Sequence, residues 1–234
     1  EMLSHKQDFF LNNDELLSHS IDLNKLYAQQ PARTKCKNCN FAISKIDFKK
    51  LYVDYSICEK CGHLNGKNED SEYFGSQVYT NNKGVAYSKN YNSKTKAIYD
   101  KRTTDIYLPK AQFLKEAFLN FDIEPKTLSF SDIGAGSGYF ISSMKNLGFK
   151  NIKGYDVSEQ QVTFGNAMIG DELLTQFNIN ETLELIESID TEVVSMIGVL
   201  EHIRQPREFL KALKTNKNIK FFYFSVPLFS IGIF

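Results

Sequence analysis

Four cysteines, Cys36, Cys39, Cys58 and Cys61, are the only ones in a chain of 234 residues, and they fall within 26 consecutive positions. They read C-x2-C, then 18 residues, then C-x2-C. Tetrahedral zinc needs four soft ligands converging on one point, and a C-x2-C turn offers two thiolates from one tight knuckle. Lys37-Asn38 and Glu59-Lys60 fill the knuckles, and Asn40 and Gly62 follow them, residues that suit tight turns. Between the pairs, FAISKIDFKKLYVDYSI contains strand-prone runs such as Leu51 to Ile57. The spacing therefore predicts a zinc ribbon over 34–66, two knuckles brought together by a short hairpin. With every position taken by a thiolate, the ion is expected to be structural and not catalytic. Two disulfides are the competing reading, and the acidic, mixed start EMLSHKQDFFLNND gives no secretory signal to support them. His63 finds the metal shell already full and is expected to be an ordinary exposed histidine.

Charge and composition exclude several classes. Lys and Arg total 28, as do Asp and Glu, so the formal net charge is zero. That balance weighs against a protein that holds nucleic acid by bulk charge. The 19 Phe and 12 Tyr supply ample apolar surface for a core and argue against disorder. No uncharged apolar run approaches the length of a membrane span, about 18 residues or more. The cytoplasm is the expected location. Residues 1–110 carry 17 basic and 13 acidic side chains and residues 111–234 carry 11 and 15, a change of sign that fits two modules better than one.

Along the chain, 1–33 is amphipathic through Phe9, Phe10, Leu16, Leu17, Ile21, Leu23 and Leu26, and predicts one or two short helices closed by Pro31. The stretch 67–92 is rich in Asn, Gly, Ser and Tyr and reads as a linker or ordered loop; Tyr73, Tyr79, Tyr87 and Tyr91 would pack on a neighbouring domain or form a substrate lid. From 93 to 234 the pattern is that of an α/β domain. Leu108, Ala111, Leu114, Phe118 and Phe121 mark one helical face, with Pro109 in its first turn. Strands are predicted at 128–133, 151–156, 193–197 and 221–226. Helices are predicted at 139–147, stopped by Gly148, at 158–169, with Ser158 and Gln161 as a capping box, and at 206–213. Alternation with near-continuous apolar strands means a doubly wound, mostly parallel sheet covered on both faces.

Between the first strand and its helix, SFSDIGAGSGYF sets glycines at 134, 136 and 138. Glycine permits positive φ and close approach of a ligand to the backbone, and in a doubly wound sheet this loop is where a nucleotide-like ligand lies. The spacing is G-x-G-x-G, not the G-x-G-x-x-G of a dinucleotide site. Asp132 at its entrance would repel a pyrophosphate and suit a cationic ligand carrying an amino group and a sulfonium. Asp156 ends the next strand, 22 residues after Gly134, where a carboxylate can accept both hydroxyls of a ribose.

DIGAGSG at 132–138, GYDVS at 154–158 and VSMIGVLEHIRQP at 194–206 resemble the successive motifs of class I S-adenosylmethionine-dependent methyltransferases, over roughly 93–230. A four-cysteine zinc module ahead of such a domain is similar to the layout of sugar and surface-polysaccharide methyltransferases, sugar C-methyltransferases among them. The resemblance implies a Rossmann-like sheet and S-adenosylmethionine as cofactor. It implies Asp132, Gly134, Ala135, Gly136, Ser137, Gly138, Tyr139 and Phe140 around the methionine portion, and Asp156 with Val157, Ser158 and Gln161 on the ribose side. Gly198, Val199, Leu200 and Glu201 would line the cofactor floor, and the adenine would lie near 177–181.

Methyl transfer from a sulfonium is an in-line displacement, so the protein must mainly align the partners and exclude water, with a base where the acceptor is a hydroxyl or carbon acid. Glu201 and His202 follow the fourth strand, and His202, which titrates near neutrality, is the candidate for base or substrate contact. Arg102 and Tyr107 are candidates for the cofactor carboxylate or for closing the site; a solvated Arg and a packed Tyr are the alternatives. The expected acceptor is a small molecule, a nucleotide- or lipid-linked sugar. Two other functions fit parts of the sequence: an RNA methyltransferase gripping nucleic acid through Lys49-Lys50 and the ribbon, and a zinc-stapled scaffold with a degenerate cofactor fold. Since the family sheet has seven strands and the sequence ends near the fifth, the expectation is a sheet lacking its last strands.

Overall fold

In the structure, a computed structural model, residues 13–80 and 95–226 are described. Phe9, Phe10, Tyr87, Tyr91 and the last residues, 227–234, lie outside them, so the expectations placed there are not addressed. The chain divides into two units, Glu1–Val78 with Arg204–Pro206 and Tyr79–Ile203 with Arg207–Phe234.

The first unit opens with helix α1 (Asn13–Ala28). Strands β1 (Phe48–Lys50), β2 (Val53–Ile57) and β3 (Leu64–Gly66) then form an antiparallel sheet in that order. Phe48 faces Tyr55 across the first pair, their rings stacked at 5.0 Å. Leu51 and Tyr52 make the tight turn between β1 and β2, both at positive φ, 45° and 72°. Such a turn usually takes Asn-Gly, because a side chain in the left-handed region costs about 1–2 kcal/mol. Helix α1 supplies compensation: Asn24 Nδ2 donates to Leu51 O at 2.9 Å, and Lys25 Nζ lies 5.7 Å from the centre of the Tyr52 ring. Arg33, nearly buried, donates from Nε to Gly66 O and Asn68 O and pairs with Glu69 and Asp70, at 3.0 and 3.1 Å. Helix α2 (Glu72–Tyr79) lies in the stretch read as a linker. The missed signal is Ser71, whose hydroxyl accepts from Phe74 N–H as an N-cap, ahead of an acidic first turn.

In the second unit, Thr95 caps helix α3 (Lys96–Arg102), which continues through a π-helical turn (Thr103–Tyr107) into α4 (Leu108–Leu119). Ala111, Leu114 and Phe118 are buried as their spacing predicts. Phe121 is not: the helix has ended at Leu119, Asp122 turns at φ 59°, and the Phe121 ring is 78% exposed.

Strands β4 (Ser129–Ile133), β5 (Asn151–Asp156), β6 (Leu174–Gln176), β7 (Val193–Ile197) and β8 (Phe221–Ser225) form one parallel sheet in the order β6-β5-β4-β7-β8. Helices α5 (Tyr139–Asn146), α6 (Glu159–Ile169), α7 (Thr182–Ser188) and α8 (Pro206–Thr215) join them. The α/β fold with a parallel sheet is as the sequence predicts; β6 and α7 are additions to it. Alternation along the central strands feeds two cores. Phe130 and Val193 pack with Leu114, Phe118, Phe140, Ile141 and Met144 on one face. Ile133, Val194 and Met196 pack with Ile186, Phe209 and Leu213 on the other. The order turns back between β4 and β7, and that reversal at the C-terminal strand ends opens the crevice where an α/β sheet takes its ligand.

Candidate functional site

The loop between β4 and α5 is made by its glycines. Gly134, Gly136 and Gly138 all have positive φ, 71°, 56° and 72°. At Gly134 a Cβ would also meet Val199 Cγ2 at 2.6 Å, so that residue must be glycine for the β7 loop to close against it. Gly134 and Ala135 donate to Tyr155 O, at 2.7 and 3.0 Å, holding the loop to β5.

Two carboxylates lie under this loop. Asp132 on β4 sits between Gly154 and Ser195 in register, is 2% exposed, and accepts from Ser195 Oγ at 2.7 Å. Burial pushes its carboxyl up to about 7, against the Ser195 hydrogen bond and with help from the neighbouring Asp156 charge. Asp156 at the end of β5 accepts from Gly136 N–H at 2.7 Å on one oxygen and from Ser158 N–H at 2.9 Å on the other. Burial raises its pKa while these backbone donors lower it. Among the described residues, no lysine or arginine contributes to the balance at either acid. A pair of desolvated carboxylates without a cation fits a positively charged ligand and not a pyrophosphate.

Several residues predicted to touch a cofactor stand behind the loop. Phe140, 1% exposed, belongs to the core on one face of the sheet, so its side chain is closed off from the crevice. Tyr139 is 3% exposed and lies in a stack of three rings, with Tyr99 at 4.5 Å and Tyr107 at 5.3 Å. Gln161 is buried and its Oε1 accepts from Ser137 Oγ at 3.2 Å. The predicted capping box is thus half made: Ser158 Oγ accepts from Gln161 N–H, while the Gln161 side chain turns to the loop. Ser137 and Ser158 are buried, and Val157 is half-buried.

Arg102 is half-buried, neither solvated nor free, with its guanidinium 5.1 Å over the Tyr139 ring. Burial raises the Tyr107 phenol, and the charge and hydrogen bond of Arg102 hold it back. Sequence reasoning missed Tyr99. It is fully buried on α3 and its hydroxyl donates to Ser137 O at 3.0 Å, stapling the glycine loop from behind. A single tyrosine in a helix carries no periodic signal that could have found it.

At the end of the adjacent strand β7, Gly198 turns at φ 70° and donates to Ser225 O at 2.8 Å. Val199 leads into a short 3-10 turn (Leu200–His202) that presents Glu201 and His202. Their side chains are 27% and 47% exposed, with His202 Nε2 and Glu201 Oε1 4.0 Å apart.

In the first unit the four thiols converge, with all sulfurs within 4.8 Å of one another. Cys36 and Cys61 sulfurs lie 3.7 Å apart and Cys39 and Cys58 3.5 Å, too far for disulfides. The two knuckles repeat each other. Asn40 N–H donates to Cys36 O and Gly62 N–H to Cys58 O, at 2.9 and 2.8 Å, with φ 58° and 71° at the two followers. Cys36 N–H donates to Phe41 O and Cys58 N–H to His63 O, at 2.8 and 2.9 Å. Burial opposes ionisation of Cys36, but the N–H groups of Cys39 and Asn38 and the Asn65 amide outweigh it and bring the thiol down to about 7. Four soft donors at this separation fit a tetrahedral thiolate-bound ion. His63 is half-buried and not exposed as expected; burial lowers its pKa, and the Lys37 and Arg33 charges add to that. Three of the ribbon lysines are paired, Lys49 with Asp54, Lys45 with Asp47 and Lys37 with Asp70, at 3.5, 2.8 and 2.8 Å, while Lys35, Lys50 and Lys60 are exposed.

A family described as "Methyltransferase domain" matches residues 105–229. The plantazolicin methyltransferase BpumL, in a complex with a monoazolic desmethylPZN analog and SAH, is similar at 18% identity and a TM-score of 0.42, over 60% of this chain and 51% of that one. An S-adenosylmethionine-dependent methyltransferase from Clostridium acetobutylicum is similar at 16% identity and 0.40, over 60% and 57%. The methyltransferase domain of bacterial CtHen1-C is similar at 17% and 0.38, over 48% and 61%. The chain spans about half the length of the plantazolicin methyltransferases it matches. No curated protein matches it in sequence.

Proposed function

The chain belongs to the methyltransferase-domain family, and from that membership we propose that it transfers a methyl group from S-adenosylmethionine to a small-molecule acceptor, a sugar carried on a nucleotide or a lipid. The observation that carries the cofactor half of this reading is the pair of buried acids beneath the glycine loop. Asp132 answers the positive charge of the donor. Asp156 braces the loop through Gly136 and Ser158 and keeps a lone pair on each oxygen for the ribose hydroxyls. When bound, the donor supplies a methyl group already activated on sulfur.

The chain's own residues then have distinct tasks. Backbone of Gly134–Gly138 holds the methionine portion, while Ser137, Tyr139, Phe140 and Gln161 fix that backbone from behind. Val157 and Ser158 edge the ribose, Gly198 and Val199 form the floor, and the adenine lies near 177–181. Arg102, held over Tyr139, meets the donor's carboxylate. His202 stands at the open end of β7 to take the acceptor's proton, with Glu201 beside it to hold the imidazolium.

Cys36, Cys39, Cys58 and Cys61 hold a structural zinc ion, and four free thiols suit a reducing compartment such as the cytoplasm. No helix among the described residues is long and apolar enough to cross a membrane. The sugar acceptor is supported by the layout, a four-cysteine module ahead of the methyltransferase domain. Nucleic acid is disfavoured by the zero net charge of the chain. Calorimetry with S-adenosylmethionine tests the cofactor site: micromolar binding is expected, lost in Asp156→Ala, and an unchanged affinity in that variant refutes the assignment. Mass spectrometry of products from a nucleotide-sugar library tests the acceptor.

A further inference from the structure

The helical run through α3 and α4 treats its lysines in two ways. On the exposed side, Lys96 pairs with Asp100 and Lys101 with Asp105, each one turn along. Lys110, in the first turn of α4, has no such partner among the described residues. The residues four positions either side of it are Ile106 and Leu114. Its ammonium lies 5.3 Å from the centre of the Tyr107 ring. Burial alone holds its pKa below the usual lysine range, with no acid contributing.

Lys110 is also tied to the sheet. Its carbonyl accepts from the Tyr223 hydroxyl at 3.3 Å, which ties this turn to β8. The ring beneath its ammonium, Tyr107, stacks on Tyr139, the first residue after the glycine loop, and takes the Arg102 hydrogen bond. Two cations thus meet Tyr107, Lys110 at its ring face and Arg102 through a hydrogen bond, and the Asp132 charge reaches the same phenol. A half-desolvated ammonium over a ring gains about 0.5–2 kcal/mol from the π face, which does not match what a paired anion provides. An anion arriving with a ligand would complete the arrangement.

We propose that Lys110, at the face of the Tyr107 ring, reads a phosphate group on the methyl acceptor. The proposal rests on the methyl-transfer reading above. It narrows the acceptor to a phosphate ester, the feature that nucleotide-linked and lipid-linked sugars share.

The test uses the whole protein loaded with S-adenosylhomocysteine and titrated with inorganic pyrophosphate in a calorimeter at fixed ionic strength. Saturable binding is expected, weakened about tenfold or more in Lys110→Met, largely restored in Lys110→Arg, and unchanged in Lys115→Met further along α4. Affinity for S-adenosylhomocysteine should be the same in all four proteins. Absent pyrophosphate binding, equal weakening in Lys115→Met, or succinate binding as tightly as pyrophosphate overturns the proposal. So does a loss of S-adenosylhomocysteine affinity in Lys110→Met, which would put the lysine on the donor's carboxylate. If the wild-type protein fails to bind S-adenosylhomocysteine, the methyl-transfer reading itself fails and this proposal falls with it.

Discussion

Around the four cysteines, the buried apolar cluster of the first unit consists of Cys36, Ile43 and Cys58. The sheet of the second unit is covered on one face by Phe130, Phe140, Ile141 and Met144 and on the other by Ile133, Val194, Met196 and Phe209. Among the described residues the first has only a small apolar core, to which Tyr27 and Val53 add, and its four converging thiols offer another source of stability. The second has a layered core and needs none. Each therefore carries polar groups differently: the small unit uses them within itself, through Arg33, Asn65 and the sulfurs, while the large unit buries two carboxylates beneath its glycine loop, the pair to which the proposed function gives the donor.

The largest expected effect is on the small unit. Removing the metal with a chelator should unfold it, since structural zinc contributes on the order of 10 kcal/mol in comparable small domains. Hydrogen exchange should show β1, β2 and β3 losing protection while β4 to β8 keep theirs; persistent protection of β1 to β3 would erase the contrast. Conversely, Phe130→Ala should lower the denaturation midpoint of the second unit by about 3–5 kcal/mol in stability, with zinc content by elemental analysis unchanged.

Within the small unit, Asn65 joins the knuckles. Its Nδ2 donates to Cys36 Sγ at 3.5 Å and His63 O at 2.9 Å, and its Oδ1 accepts from Lys37 N–H at 2.9 Å. Asn65→Leu should weaken zinc binding about 10- to 100-fold in chelator competition. An unaltered affinity would mean the sulfurs hold the ion without that support.

In the large unit, the raised carboxyl of Asp132 sets a pH dependence. Its folded-state value, about 7, lies above the ordinary 3.8, so the group costs nothing at low pH and withdraws stability as pH climbs through 7. Urea midpoints should therefore fall between about pH 4 and about pH 8 more steeply for wild type than for Asp132→Asn; parallel curves would show the acid is not desolvated as described. The smallest expected change is that of Ser158→Ala, about 1 kcal/mol from the loss of the cap on α6, read as a shift in thermal midpoint with no change in zinc content.

What could be read from residues alone follows the same division. β5 and β7 were legible to the residue because their buried runs are bounded by turn signals, and the cysteine spacing fixed the ribbon. β6 was not, because only Leu174 of its three residues is buried and so short a strand has no period to detect. α2 escaped because its tyrosines and glycine resemble loop composition, and its cap, Ser71, is one residue. Around the glycine loop, the glycines stood out by spacing, since positive φ demands that residue type, and the two acids by their places on neighbouring strands. Tyr99, Lys110 and the inward turn of Phe140 did not, because each acquires meaning only from what the fold places against it. Phe121 misled because helical spacing continues past the point where the chain turns.

Diffraction from crystals soaked with S-adenosylhomocysteine is the most direct check on the central claim. The ligand should lie along Gly134–Gly138 with its ribose hydroxyls on the Asp156 carboxylate. Density for it elsewhere, or a crevice that stays empty at saturating ligand while the protein remains folded, would contradict the account.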